Sequence, residues 1–292
     1  MQYVGYWAFR GVVFLFWLIP FAVLYRLSNG VAWLLQNIFG YRKAVVFKQL
    51  RDSFPQKTEV EIAEIARLSY RNLADIMLES IKGFSLSDAQ MLRRFRLTNP
   101  SVLHEDWTAA GNSISMAPHY GNWEWGIRAL RLYLDERFVV GFYKPLSNVL
   151  IDKYARQRRD TTGLELIPIG ETAQAFVRFA DRPTAYVFVS DQSTHSDKAH
   201  WVTFLNQDTA CPYGGDKYAH QFNFPVWYIN VQRVRRGFYE LTFEKLADNP
   251  AALPEQEVTK RFMARLESII VAQPENWLWS HKRWKKKRLG SV

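Results

Sequence analysis

The sequence predicts an α/β fold: a mostly parallel central sheet flanked by helices, with a membrane-associated helical segment at its N-terminus. Three observations lead there. Residues 1–41 carry Arg10 and Arg26 as their only charged side chains. A long amphipathic helix with its own start signal follows. From residue 112 onward, short apolar, β-rich runs alternate with helix-like stretches, the pattern of βαβ units.

The first element is the uncharged run Gly11 to Tyr25, bounded by Arg10 and Arg26. Fifteen helical residues at about 1.5 Å each fall short of a roughly 30 Å hydrocarbon core. Extended back to Met1, with Arg10 snorkelling near an end, the segment allows a tilted span. Leu27 to Tyr41 is uncharged but broken by Ser28, Asn29, Gln36 and Asn37, which suits a helix in the interface or packed back on the protein. A signal peptide fits poorly, because charge is lacking before Arg10 and no small-x-small cleavage site follows. Arg26, Arg42, Lys43, Lys48 and Arg51 flank the apolar run, and the positive-inside bias places the body of the protein in the cytoplasm. The expected division is an N-terminal membrane anchor over residues 1–41 and one domain over 42–292.

Thr58-Glu59-Val60-Glu61 matches a capping box and predicts a helix start. Apolar residues at Ile62, Ile65, Ala66, Leu73, Ile76, Met77 and Ile81 give that helix one buried face until Gly83. Strands are predicted over Ser113–Ala117, Phe138–Tyr143, Leu164–Ile169, Ala185–Ser190, Val226–Val231 and Tyr239–Phe243, the last two as an antiparallel pair turning near Gly237. Helices are predicted over Trp123–Leu134, Val149–Arg159, Thr172–Asp181 and Asp216–Gln221, and from Glu255 to Ala272.

Composition narrows the partners. Aromatic residues make up 15% of the chain, with 11 Trp, and such side chains favour membrane interfaces. The formal charge of +10 is concentrated: Lys282, Arg283, Lys285, Lys286, Lys287 and Arg288 form a basic tail, a patch that attracts anionic lipid head groups, phosphates or an acidic carrier. Beside an apolar anchor, lipid or carrier explains that tail better than nucleic acid. Cys211 is the only cysteine, which excludes an internal disulfide and any cysteine-rich zinc site. No metal is expected, since Asp191, His195, Asp197 and His200 sit at unhelical spacing without a third histidine nearby.

The chemistry concentrates in His119-Tyr120-Gly121-Asn122-Trp123-Glu124. His119 follows the strand Ser113–Ala117 and Pro118, at the carboxyl end of a strand, where open α/β sheets place ligands. Asn122 can cap the helix that begins at Trp123. On one continuous helix His119 and Glu124 would diverge by roughly 140°. With His119 in the loop and Glu124 in the first turn, the carboxylate can fold back on an imidazole nitrogen and raise the basicity of the other. No Gly-x-Ser-x-Gly elbow supplies a nucleophile, so the substrate's own hydroxyl or amine is the natural candidate. The spacing alone leaves a catalytic dyad and a structurally bonded loop histidine equally open.

Pro118-His119-Tyr120-Gly121-Asn122-Trp123-Glu124 resembles the His-x-x-x-x-acid motif of the bacterial late lipid A (lauroyl and myristoyl) acyltransferases. Tyr143-Lys144-Pro145-Leu146-Ser147-Asn148 is similar to the family's Tyr-Arg-Pro-x-x-Asn block, with Lys144 in place of arginine, and Asp191-Gln192 resembles its Asp-Gln element. Pro274-Glu275-Asn276-Trp277-Leu278-Trp279 with His281-Lys282-Arg283-Trp284 looks like its C-terminal signature, so the likeness covers nearly the whole chain. The Phe-Pro-Glu-Gly-Thr block of glycerophosphate acyltransferases is absent.

The resemblance implies a glycerolphosphate-acyltransferase-like fold, with residues 42–292 as the acyltransferase domain and its basic tail. It implies direct transfer of a fatty acyl chain from a thioester, on acyl carrier protein or coenzyme A, to a lipid at the cytoplasmic face of the inner membrane. The thioester is a co-substrate, and no further cofactor is implied. His119 would be the general base and Glu124 would hold it; Asn122, Lys144, Arg159, Asp191 and Gln192 would bind substrate. The arginine is assigned to Arg159, with Arg158 close behind, to bind a phosphate or polarise the thioester carbonyl. A lipid A precursor is the first acceptor; an amino-acid-based lipid or a phosphoinositide mannoside would use the same chemistry. From another class, a non-catalytic membrane-anchored lipid-binding protein would keep the fold without needing His119.

Overall fold

Pro20 breaks the apolar N-terminus, because a proline has no amide to continue a helix and its ring crowds the preceding turn. In the computed structural model, which describes residues 2–102, 111–134, 138–159, 164–194 and 196–288 (Arg159 by its backbone alone), α1 runs Gln2–Leu18 and α2 Phe21–Trp33. A π-helical turn, Leu34–Ile38, follows. The single tilted helix over residues 1–25 does not form. Among the described residues, no helix is long and apolar enough to cross a membrane.

Both N-terminal helices lie against the body of the protein. Helices α3 (Lys43–Ser53) and α4 (Glu59–Gly83) follow them, and α4 begins at the predicted capping box: the Glu61 amide donates to the Thr58 hydroxyl at 3.3 Å, and the Glu61 carboxylate accepts from the Thr58 amide at 2.8 Å. One face of α4 then grips the segment before it. Lys82 Nζ donates to the carbonyls of Phe16, Trp17 and Ile19 at 2.7, 3.0 and 3.0 Å, capping the end of α1 where backbone oxygens lack helical partners. Ser28 donates to Asp75 at 2.5 Å, and the Tyr25 hydroxyl donates to Glu79 at 2.7 Å. Asp75 is buried but paired, receiving Arg233 and Arg236 at 2.6 and 2.5 Å, which is how an ionised carboxylate tolerates burial. The opposite side of α1 stays open, with Tyr3, Trp7, Phe14, Leu15, Trp17 and Leu18 exposed.

After α5 (Asp88–Arg94), the chain builds a seven-stranded sheet in the order β1-β9-β8-β2-β5-β3-β4. Its strands are β1 (Phe95–Leu97), β2 (Ser113–Ala117), β3 (Phe138–Tyr143), β4 (Leu164–Pro168), β5 (Thr184–Val189), β8 (Val226–Arg235) and β9 (Phe238–Ala247). All neighbours are parallel except β8 and β9, which form the expected antiparallel pair turning at Gly237. The intervening helices are α6 (Pro100–Val102), α7 (Trp123–Tyr133), α8 (Val149–Arg159), α9 (Thr172–Arg178), α10 (Gly214–Phe222) and α11 (Glu257–Ala272). A separate hairpin, β6 (His200–Phe204) with β7 (Gln207–Cys211), was not predicted.

Hydrophobic cores form on both faces of the sheet, as a mostly parallel sheet requires. One packs Ile62, Tyr70, Phe176, Tyr186, Tyr228 and Phe262. The other packs Met91, Phe95, Trp125, Leu130, Val139 and Trp227. Strand β2 is central, with β5 on one side and β8 on the other, so the chain reverses its direction of winding about β2. That reversal opens a crevice at the carboxyl ends of these strands.

Candidate active site

Strands β2 and β5 pair in parallel with Ala117 opposite Val189. Each strand releases a polar side chain two residues later, His119 from one and Asp191 from the other. Equal offsets from paired positions bring the two together: His119 Nδ1 lies 2.6 Å from Asp191 Oδ1. The other carboxylate oxygen accepts from Trp277 Nε1 at 2.8 Å. Burial pushes the Asp191 carboxyl up, but the imidazole and the bonds from His119 and Trp277 outweigh it and hold the group below its ordinary range. Asp191 is therefore an anion at neutral pH, with both oxygens engaged.

The loop that carries His119 is clamped from the C-terminal side. Tyr120 bridges Trp277, the Gly121 amide donates to the Asn276 carbonyl at 3.0 Å, and the Tyr120 hydroxyl donates to the Gln273 carbonyl at 2.9 Å. Gly121 adopts φ +58°, and a Cβ there would stand 2.9 Å from the Val231 carbonyl oxygen, so the turn and the close approach both require glycine. Asn122 then caps α7, its Oδ1 accepting from the Trp125 amide at 2.9 Å. Its Nδ2 donates to buried Glu79 at 2.7 Å, where the Tyr25 and Tyr239 hydroxyls also converge.

Since Nδ1 is committed to Asp191, Nε2 is the nitrogen available to the cavity that His119 borders. That cavity, about 560 Å³, is walled by Phe9 of α1 and by apolar side chains such as Ile127, Leu130, Phe142, Val187 and Val231. The polar groups on its lining are fewer: His119, Glu124, Lys144, Asp152, Arg156 and Gln192. A mostly apolar chamber with a few polar groups on its wall suits a fatty chain with a reacting head. The Trp123 ring lies edge-on to the imidazole, with centroids 5.1 Å apart, and adds steric restraint to the hydrogen bond.

Three expected site residues take different places. The carboxylate on the imidazole is that of Asp191, whereas Glu124 stands in the first turn of α7 on the wall of the same cavity. Asp191 was expected to bind substrate, but it is 1% exposed behind the histidine, because both its oxygens are satisfied inward. Asn122, expected there too, is buried with its carbonyl and amide both spent on the cap and on Glu79. Lys144 and Gln192 do border the cavity. The side chain of Arg159 and all of His195 lie outside the described residues.

Trp277, which sequence reasoning placed in a signature without a role, is the second ligand of the Asp191 carboxylate. His281 lies near enough to feel the charges of Asp191 and His119, and burial lowers its pKa from 6.5 to about 4, so it is neutral beside the pair. Cys211 is buried, and burial pushes its thiol up against the opposing charge of Arg283, which leaves little thiolate.

Residues 1–286 match the model of the bacterial lipid A biosynthesis acyltransferases. The chain belongs to that family. Similarity extends to the lipid A biosynthesis lauroyltransferase of Escherichia coli (strain K12), 21% identical over 97% of this chain and 92% of the relative. The palmitoleoyltransferase of the same organism and an acyltransferase of Shigella flexneri, both also of lipid A biosynthesis, are each 19% identical with the same coverage. This chain is accordingly an acyltransferase, and the cavity beside His119 is its candidate active site.

Proposed function

We propose that this acyltransferase moves a fatty acyl chain from a thioester, carried by acyl carrier protein or coenzyme A, to a hydroxyl or amine of a lipid A precursor. The observation that carries the mechanism is the bond from His119 Nδ1 to Asp191 on the wall of a mostly apolar cavity. Asp191 keeps the proton on Nδ1 and leaves Nε2 basic. As the acceptor oxygen or nitrogen attacks the thioester carbonyl, its proton passes to Nε2 and a new C–O or C–N bond forms. Collapse of the tetrahedral adduct breaks the C–S bond, and the imidazolium returns the proton to the departing thiolate. Asp191 offsets the positive charge that His119 carries between these steps. Glu124, on the same wall, orients the acceptor or its attacking group, and Lys144 and Gln192 border the path of the head groups.

The reaction takes place at the cytoplasmic face of a bacterial inner membrane. Support comes from the exposed aromatic face of α1 and from Phe9, which ties that helix to the cavity wall. Trp and Tyr side chains of this kind settle at the level of lipid head groups. Lipid mass spectrometry of a deletion strain, complemented with the wild type or His119→Ala, tests the reading. Loss of one acyl chain from a lipid A species, restored only by the wild type, is expected. Restoration by His119→Ala would overturn the mechanism, and an unchanged lipid A beside another altered lipid would overturn the acceptor.

A further inference from the structure

A second groove, about 300 Å³, opens beside the catalytic cavity between α1 and α8, lined by Arg10, Phe14, Trp17, Phe84, Ser85 and Arg158. Phe84 also lines the catalytic cavity, and Arg158 shares a narrower cleft with Glu124, so groove and cavity meet at one aromatic ring. Arg10 and Arg158 both lie against the ring of Tyr154, with guanidinium carbons 4.7 and 5.5 Å from its centroid. Neither has a carboxylate partner among the described residues. Arg10 spends a single donor on the Tyr6 hydroxyl at 2.9 Å. Among the described residues no protein acceptor takes up the rest of their N–H donors, and both side chains line the groove. Arg233 and Arg236, by contrast, are neutralised by Asp75. The exposed side chains of Phe14 and Trp17 flank the groove on the apolar face of α1.

We propose that Arg10 and Arg158 form a head-group site for a phosphate-bearing lipid, which holds the acceptor by its phosphate while its acyl-accepting group reaches His119. This inference rests on the acyl-transfer reading for its purpose. The site takes a phosphomonoester in particular, because two forked guanidiniums match its oxygens better than they match a single carboxylate. Helix α1 is then part of the binding machinery as well as a membrane contact.

The test is sedimentation of the full-length protein with phosphatidylcholine vesicles carrying either phosphatidate or phosphatidylserine at equal surface charge. The proteins compared are the wild type, Arg10→Gln/Arg158→Gln, Arg10→Lys and, as a charge control, Lys285→Gln/Lys287→Gln. The wild type is expected to prefer phosphatidate, and the double arginine variant to lose that preference by about tenfold. The lysine control lowers binding to both vesicles alike, and Arg10→Lys keeps part of the preference, which separates loss of the site from misfolding. Equal preference in wild type and double arginine variant overturns the proposal. Tighter binding of the wild type to coenzyme A than to the phosphatidate vesicles, lost in the double arginine variant, also overturns it, since the groove would then serve a soluble phosphate. Binding is read without turnover, so His119→Ala should keep the preference whether or not the acyl-transfer reading survives its own test.

Discussion

His119 and Asp191 are 72 residues apart in the chain and 2.6 Å apart in space. The bond follows from sheet register, because each residue stands two positions beyond a paired strand end, Ala117 and Val189. A carboxylate at Nδ1 fixes the tautomer that leaves Nε2 unprotonated. Asp191→Asn replaces that acceptor with an amide whose nitrogen can donate to Nδ1, favouring the opposite tautomer with the proton on Nε2. The variant should fold, keep substrate affinity and lose roughly 10²- to 10⁴-fold in turnover, the range that general-base catalysis contributes. Steady-state kinetics with a purified thioester donor decide it. A kcat within a few-fold of wild type would remove Asp191 from the mechanism.

Gly121 links the base to the helix that carries Glu124, and it does so in a left-handed conformation that an alanine tolerates poorly. The Cβ of Gly121→Ala would meet a backbone oxygen of β8, which cannot swing away as a side chain can. The expected cost is more than about 1 kcal/mol of stability. Turnover should fall by more than stability alone explains, since the loop shifts His119 away from Asp191. Urea denaturation alongside kcat measurements checks both parts. Unchanged stability with full activity would mean the turn has room that the geometry denies.

The legible parts of this molecule are those governed by local rules. The Thr58 capping box and the runs Ser113–Ala117 and Phe138–Tyr143 appear as the sequence predicts, because side-chain chemistry and alternation are local. Strand β1 is three residues long and exists through its pairing with β9, which no window of sequence contains. The hairpin β6–β7 hides for another reason. Its turn residues Leu205 and Asn206 both have positive φ, 49° and 62°, without the Asn-Gly or Asp-Gly signal that normally marks such a turn. At the site, the position of His119 at a strand end was readable. Its carboxylate was not, because choosing Asp191 over Glu124 requires knowing that β2 pairs with β5. Both Asp191 and His119 do follow apolar strands at the same offset, a signal available once that pairing is assumed.

His281 makes the wall behind the catalytic pair sensitive to acid. Burial is the largest cause of its lowered pKa; the nearby Asp191 opposes the shift, and His119, Arg283 and Lys285 reinforce it. With a folded value of about 4 against an ordinary 6.5, the unfolded chain binds more protons at intermediate pH. Stability therefore rises with pH across that window: the contribution of His281 is fully present above 6.5 and is lost as pH falls toward 4. His200, also lowered chiefly by burial, acts with the same sign and keeps part of the slope when His281 is removed. Urea midpoints at pH 7 and pH 5 should drop for the wild type and drop less for His281→Gln. Parallel pH dependences in the two proteins would show that His281 is solvated, and that the segment Trp277–Trp279 alone closes the site behind Asp191.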